Sequence, residues 1–109
     1  MTSKIPTPQG ISRLLAKAGF ERSAVLSQSA PHPRYEAGFY VCGGASAVYV
    51  GWRNRTPLVS RSALQAERDS RTALEMAQEY AGALSAAGWP TEVIHLSGPL
   101  ARVTAKEGD

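Results

Sequence analysis

The stretch Gly38 to Arg55, GFYVCGGASAVYVGWRNR, decides how this chain folds. Gly43-Gly44 supplies the positive φ values that a tight turn requires, between two runs of alternating apolar residues, so the stretch reads as a β-hairpin. A two-residue loop would pair Cys42 with Ala45, and a four-residue loop would pair Cys42 with Ala47. Both registers put Phe39, Val41, Val48, Val50 and Trp52 on one face, which is the core face. Tyr40, Cys42, Tyr49, Gly51 and Arg53 share the other. The longer loop would set Tyr40 directly opposite Tyr49.

Upstream of the hairpin, a helix is predicted from Thr7, which can cap it, with Pro8 pre-organised for the first helical position. Ile11, Leu14, Leu15 and Ala18 form its apolar stripe. Gly19 ends it in a left-handed cap over which Phe20 folds back. Residues 21–37 have no period and read as a long loop, with a short strand around Ala24 to Leu26.

Downstream, Thr56-Pro57 breaks the sheet and Ser62 can cap a second helix. Its strong part is Thr72 to Ala87, with Ala73, Leu74, Ala77, Tyr80, Ala81 and Leu84 as the stripe. The stretch Ala63 to Arg71 is mostly polar and reads equally as a separate turn. Gly88 stops the helix, Trp89 packs back and Pro90 prevents continuation. A second hairpin, TEVIHL and LARVTA, turns at Ser97-Gly98-Pro99. A two-residue turn at Gly98-Pro99 would put Ile94 and Leu96 with Ala101 and Val103, leaving Val93, His95, Arg102 and Thr104 opposite.

The order is α-β-β-α-β-β. Two helices and two hairpins, each with one apolar face, bury those faces as a two-layer α+β sandwich, with both helices on one face of a mostly antiparallel four-stranded sheet. LAKAGF at 15–20 and LSAAGW at 84–89 echo each other, as two similar halves or as two helix ends with the same cap chemistry. The length of 109 residues argues for a single domain, with 1–6 and 106–109 as flexible tails.

The 43% apolar and 19% charged composition is that of a globular chain. The single cysteine, Cys42, excludes an internal disulfide and suits a reducing compartment. No apolar run reaches the ~20 residues of a membrane span, and the first ten residues lack the apolar stretch of a signal peptide, so a cytoplasmic location is expected. The net charge of +3 is unevenly placed: residues 1–71 hold ten basic and four acidic side chains (+6), and residues 72–109 hold two and five (−3). Such asymmetry favours an acidic partner for the first part. Nine arginines against three lysines and seventeen alanines also carry the mark of codon bias in a GC-rich genome.

No metal or cofactor is expected, because Cys42, His32, His95 and the carboxylates show no ligand spacing. Cys42 with His95 is the one pair that could activate a nucleophile, and nothing in the sequence orients the imidazole, so the chain is expected not to be an enzyme. The binding candidates are Tyr40, Tyr49, Arg53 and Arg102 on the open sheet face, with Arg55 at its rim and His95 nearby. Tyrosine and arginine serve protein hot spots, and equally stack on bases and contact phosphates. A small binding or adaptor protein acting through protein contacts, self-association included, is the first expectation. Nucleic-acid binding through the same face is the alternative.

ISRLLAKAGFERS, the GFYV and AVYVGW hairpin, and YAGALSAAGW together resemble small uncharacterised proteins of actinobacteria and their phages, a resemblance that implies a phage or mobile-element setting and no activity. The opening helix is also similar to that of HicA-type toxins, whose helix ends in Lys-Ala-Gly-Phe before a sheet. That family's histidine would follow on a strand, whereas His32 here stands between prolines.

Overall fold

The structure, a computed structural model, describes residues 2–27, 34–44, 46–55, 62–96 and 98–108. Its centre is a four-stranded sheet made of β4 (Gly38–Gly43), β5 (Ala47–Arg53), β6 (Thr91–His95) and β7 (Pro99–Thr104), in the order β4-β5-β7-β6 with every neighbour antiparallel. Helices α1 (Pro8–Lys17) and α2 (Ala63–Ala86) both cover one face of this sheet. The expected two-layer α+β architecture is therefore the one observed.

The core follows from the apolar periods. Ile11 and Leu15 of α1, together with Tyr80 and Leu84 of α2, form one cluster with Phe39, Val48, Val50, Ala101 and Val103 of the sheet. Each is at most 2% exposed. Full burial of a large apolar side chain contributes about 1.5–3 kcal/mol, so the stability of the domain sits on this face of the sheet. Val41 and Trp52 pack against the cluster, as their parity requires.

Both helices begin at their expected caps. Thr7 Oγ1 accepts from the Gly10 N–H at 3.1 Å, and Ser62 Oγ accepts from the Gln65 N–H at 3.1 Å. The polar stretch 63–71 is not a separate turn but the first part of one 24-residue helix that starts at Ser62. It runs beyond the core, and Leu64 is left exposed.

The two helix ends close with the same glycine conformation and the same backward bond. Gly19 and Gly88 have φ of 103° and 95°, a region open to glycine because it has no β-carbon. The Phe20 N–H then donates to Leu15 O at 3.1 Å, and the Trp89 N–H donates to Leu84 O at 3.0 Å. These are the same backward bonds from the same register, and in each case the accepting leucine is fully buried. The strand order is also what two helix–hairpin halves would give about a two-fold axis between β5 and β7.

Outside the main sheet the chain is less loop-like than its composition predicts. Residues 21–24 run parallel to the outer edge of β4, with the Ser23 N–H donating to Phe39 O at 2.8 Å and the Phe39 N–H donating to Glu21 O at 2.9 Å. Short strands β2 (Val25–Ser27) and β3 (Arg34–Tyr35) then pair antiparallel. His32 and the Thr56-Pro57 break lie outside the described residues. The chain ends, expected as tails, pair as β1 (Thr2–Lys4) and β8 (Lys106–Gly108). Nothing periodic marks these segments, and pairing between the two ends of a chain leaves no local signal in sequence.

Candidate functional site: the open face of the sheet

Among the described residues no helix packs on the second face of the sheet, because both cover the first. Register places its side chains in rows. Cys42 pairs with Tyr49, Tyr49 with Arg102, and Arg102 with Glu92, which makes one row across all four strands. The next row holds Tyr40 opposite Gly51, and Leu100 opposite Ile94. Arg53 follows at the end of β5.

The first hairpin turns one residue later than the four-residue reading, so that Cys42 pairs with Tyr49 instead of Ala47. Gly43 pairs with Val48, and the Gly44 N–H donates to Ala47 O at 2.8 Å. Tyr40 is consequently opposite Gly51, not Tyr49. The assignment of faces survives, because the shift is by an even number of residues.

The second hairpin shifts by an odd number, and its outer strand turns over. His95 pairs with Pro99 across a three-residue connection, in which the Leu96 N–H donates to Gly98 O at 3.1 Å. Proline fits the first position of a strand, where its missing N–H costs nothing, so the turn closes one residue before it. Val93 therefore pairs with buried Ala101 on the helix side, and Ile94 takes the open face. His95 has the parity of the helix side and stands at the exposed end of β6, away from Arg102. It does not belong with the other five candidates. Cys42 and His95 also lie on opposite edge strands, at least about 14 Å apart at the usual strand spacing.

The arginines of the face and its rim are all engaged. The Arg53 guanidinium lies 4.3 Å from the Tyr35 ring centroid and 4.9 Å from that of Tyr40. Arg102 Nη2 meets Glu92 Oε1 at 2.6 Å, with the two side chains 40% and 57% exposed. Arg102 Nε is buried with no hydrogen-bond partner among the described residues. Arg55 Nε sits 3.7 Å from Glu36 Oε1. Three arginines and two glutamates leave these groups at a net charge of +1. Burial pushes the Tyr40 phenol above its ordinary value, neighbouring Cys42 adds to this, and the Arg53 charge offsets part of it.

Sequence reasoning missed Tyr35, Glu36 and Glu92, the partners of these arginines. Glu36 and Tyr35 arrive from the long 21–37 segment, which has no period to place them. Glu92 is paired with Arg102 only in the observed register. Among the described residues no group of three or more His, Cys, Asp or Glu side chains gathers as a metal site requires, and no helix is long and apolar enough to cross a membrane. No protein-family model, curated protein or solved structure matches the chain.

Proposed function

We propose that the protein works by protein–protein contact through the open face of its sheet, with a second copy of the chain as the partner. The observation that carries this reading is the internal matching of charge on that face. A nucleic-acid surface relies on uncompensated cations that release counterions from phosphates. Here Arg102 is matched by Glu92, Arg55 by Glu36, and Arg53 is held between two rings. What remains for a partner is Tyr40, Tyr49, Leu100 and Ile94, an aromatic and aliphatic surface of the kind that anchors protein interfaces.

Half-covered antiparallel sheets solve their exposure by stacking about 10 Å apart, and a two-fold pair makes one patch complementary to itself. Four strands of about six residues project roughly 400 Å², about half of what each partner gives to a standard interface. The association is accordingly reversible and concentration-dependent, as suits an adaptor of phage or mobile-element type.

Sedimentation equilibrium across a concentration series tests the reading. Self-association weakened by Leu100→Asp and by Tyr49→Ala supports it. A strict monomer, or a dimer indifferent to both substitutions, removes it. Salt-sensitive oligonucleotide binding lost on Tyr49→Ala would replace it with the nucleic-acid reading.

A further inference from the structure

A groove of about 480 Å³ runs between the first turns of α1 and the outer edge of β4, and meets the open face at Tyr40. Arg13 enters it from α1 and Arg22 from the segment beside β4, and no carboxylate lines it. Unlike the arginines of the sheet face, neither has an ion-pair or ring partner among the described residues.

The strand edge adds a donor. Phe39 turns its N–H and C=O outward, to Glu21 and Ser23. Backbone direction alternates along an antiparallel strand, so Val41 also turns its N–H outward, towards the groove it lines. No acceptor among the described residues takes it. The segment 21–23 closes the slot at one end, and Pro8, packed on Gly43, closes it at the other. The space left along the edge is too short for an added strand.

We propose that this groove binds a small phosphate monoester, its phosphate between Arg13 and Arg22. Two guanidiniums supply the two positive charges that a phosphate dianion calls for, in the forked geometry that fits its oxygens, and the Val41 N–H is a third donor. The volume falls in the range of small-molecule sites and exceeds what a phosphate alone fills. The surplus lies beside Gln9 and Ser12 and takes the organic part. Of the residues proposed for the sheet-face interface, this site shares only Tyr40, and neither arginine belongs to that interface.

The test is an NMR amide titration of the full chain with glycerol 3-phosphate, inorganic phosphate and acetate at constant ionic strength. Glycerol 3-phosphate should give saturable shifts at the amides of Ser12, Arg22 and Val41. Inorganic phosphate should bind more weakly at the same amides. Arg13→Gln with Arg22→Gln should weaken binding by about tenfold or more, because charge-assisted bonds are the strong ones. Both positions are exposed, and retained spectral dispersion confirms that the variant is folded. Absence of saturable shifts overturns the proposal, as do shifts that persist in the double variant. Acetate matching the ester would show unselective anion attraction and overturn it equally.

Discussion

Tyr40 lies across Gly51, so that a β-carbon on Gly51 would come within 2.6 Å of the Tyr40 Cζ and hydroxyl and 2.7 Å of Leu100 Cδ2. The bare backbone of β5 is what lets the ring lie flat on the sheet, and it explains why Gly51 is buried on an otherwise open face. A similar approach at Gly38 involves backbone instead: a β-carbon there would collide with Arg22 C and Ser23 N, and come within 2.7 Å of Arg22 O.

These two glycines should respond differently to alanine. At Gly51 the obstructing atoms are side-chain ends that can swing away, so Gly51→Ala should cost about 1 kcal/mol, the low end for overpacking. Most of that should vanish in a Tyr40→Ala background. At Gly38 the obstruction is a segment held by the Ser23 and Phe39 hydrogen bonds. Gly38→Ala should cost about 3 kcal/mol, with no relief from Tyr40→Ala. Denaturant midpoints of the two glycine variants, of Tyr40→Ala and of the two double variants decide it, and equal costs at the two glycines would refute the distinction.

Arg53 joins β3 to the main sheet through its two ring contacts. Arg53→Met should cost about 0.5–1 kcal/mol, the usual worth of an exposed cation–π contact, while retaining most of the aliphatic packing. The local consequence should exceed the global one. Amide exchange at Tyr35 and Glu36 should accelerate while that at Val48 and Val50 stays unchanged. Unaltered exchange at Tyr35 would show that the rings do not hold β3.

Tyr80 stands at the centre of the core, with Phe20 edge-on at 5.0 Å and Phe39 at 6.0 Å, and its buried hydroxyl has no partner among the described residues. A buried unsatisfied group costs about 1–3 kcal/mol, so Tyr80→Phe should leave the protein as stable or more stable at neutral pH. Burial, with a smaller contribution from Glu79, also pushes the phenol well above its usual value of 10.0. The folded state then keeps its proton at pH values where the unfolded state releases it. Stability from this group is intact below about pH 10 and falls as pH rises beyond it. Thermal melts between neutral and strongly alkaline pH should show a shallower alkaline decline for Tyr80→Phe than for the parent.

The two hairpins show what a sequence can and cannot carry here. Both had an alternating pattern and a glycine-marked turn, and both loops were longer than the shortest reading. In β4–β5 the extra residues came as an even number, so Tyr40, Tyr49 and Arg53 kept their face. In β6–β7 they came as an odd number, which exchanged Val93 for Ile94 and removed His95 from the site. Loop parity is set by turn closure, which two adjacent candidate turns leave open, whereas the helix caps are fixed by single residues such as Thr7 and Gly19. The partners of Arg55 and Arg102 are set by long-range pairing, so the sequence shows a basic face where the fold matches two of its three arginines with glutamates and leaves a net charge of +1.

That charge matching makes a last prediction about the proposed interface. Cys42 is exposed and stands beside Tyr49 in the same row, so a partner stacked on this face must cover it. Maleimide labelling of Cys42 should be fast in dilute protein and slow as concentration rises, with Leu100→Asp abolishing the protection. Glu92→Gln frees Arg102 from its ion pair, and its direct cost to stability should stay below about 1 kcal/mol because the two side chains are about half exposed. In a two-fold complex, however, two unmatched arginines would be buried together, so the same substitution should weaken self-association more than it weakens folding. Protection of Cys42 that is independent of concentration, or indifferent to Glu92→Gln, would show that the charge-matched face is not where copies meet.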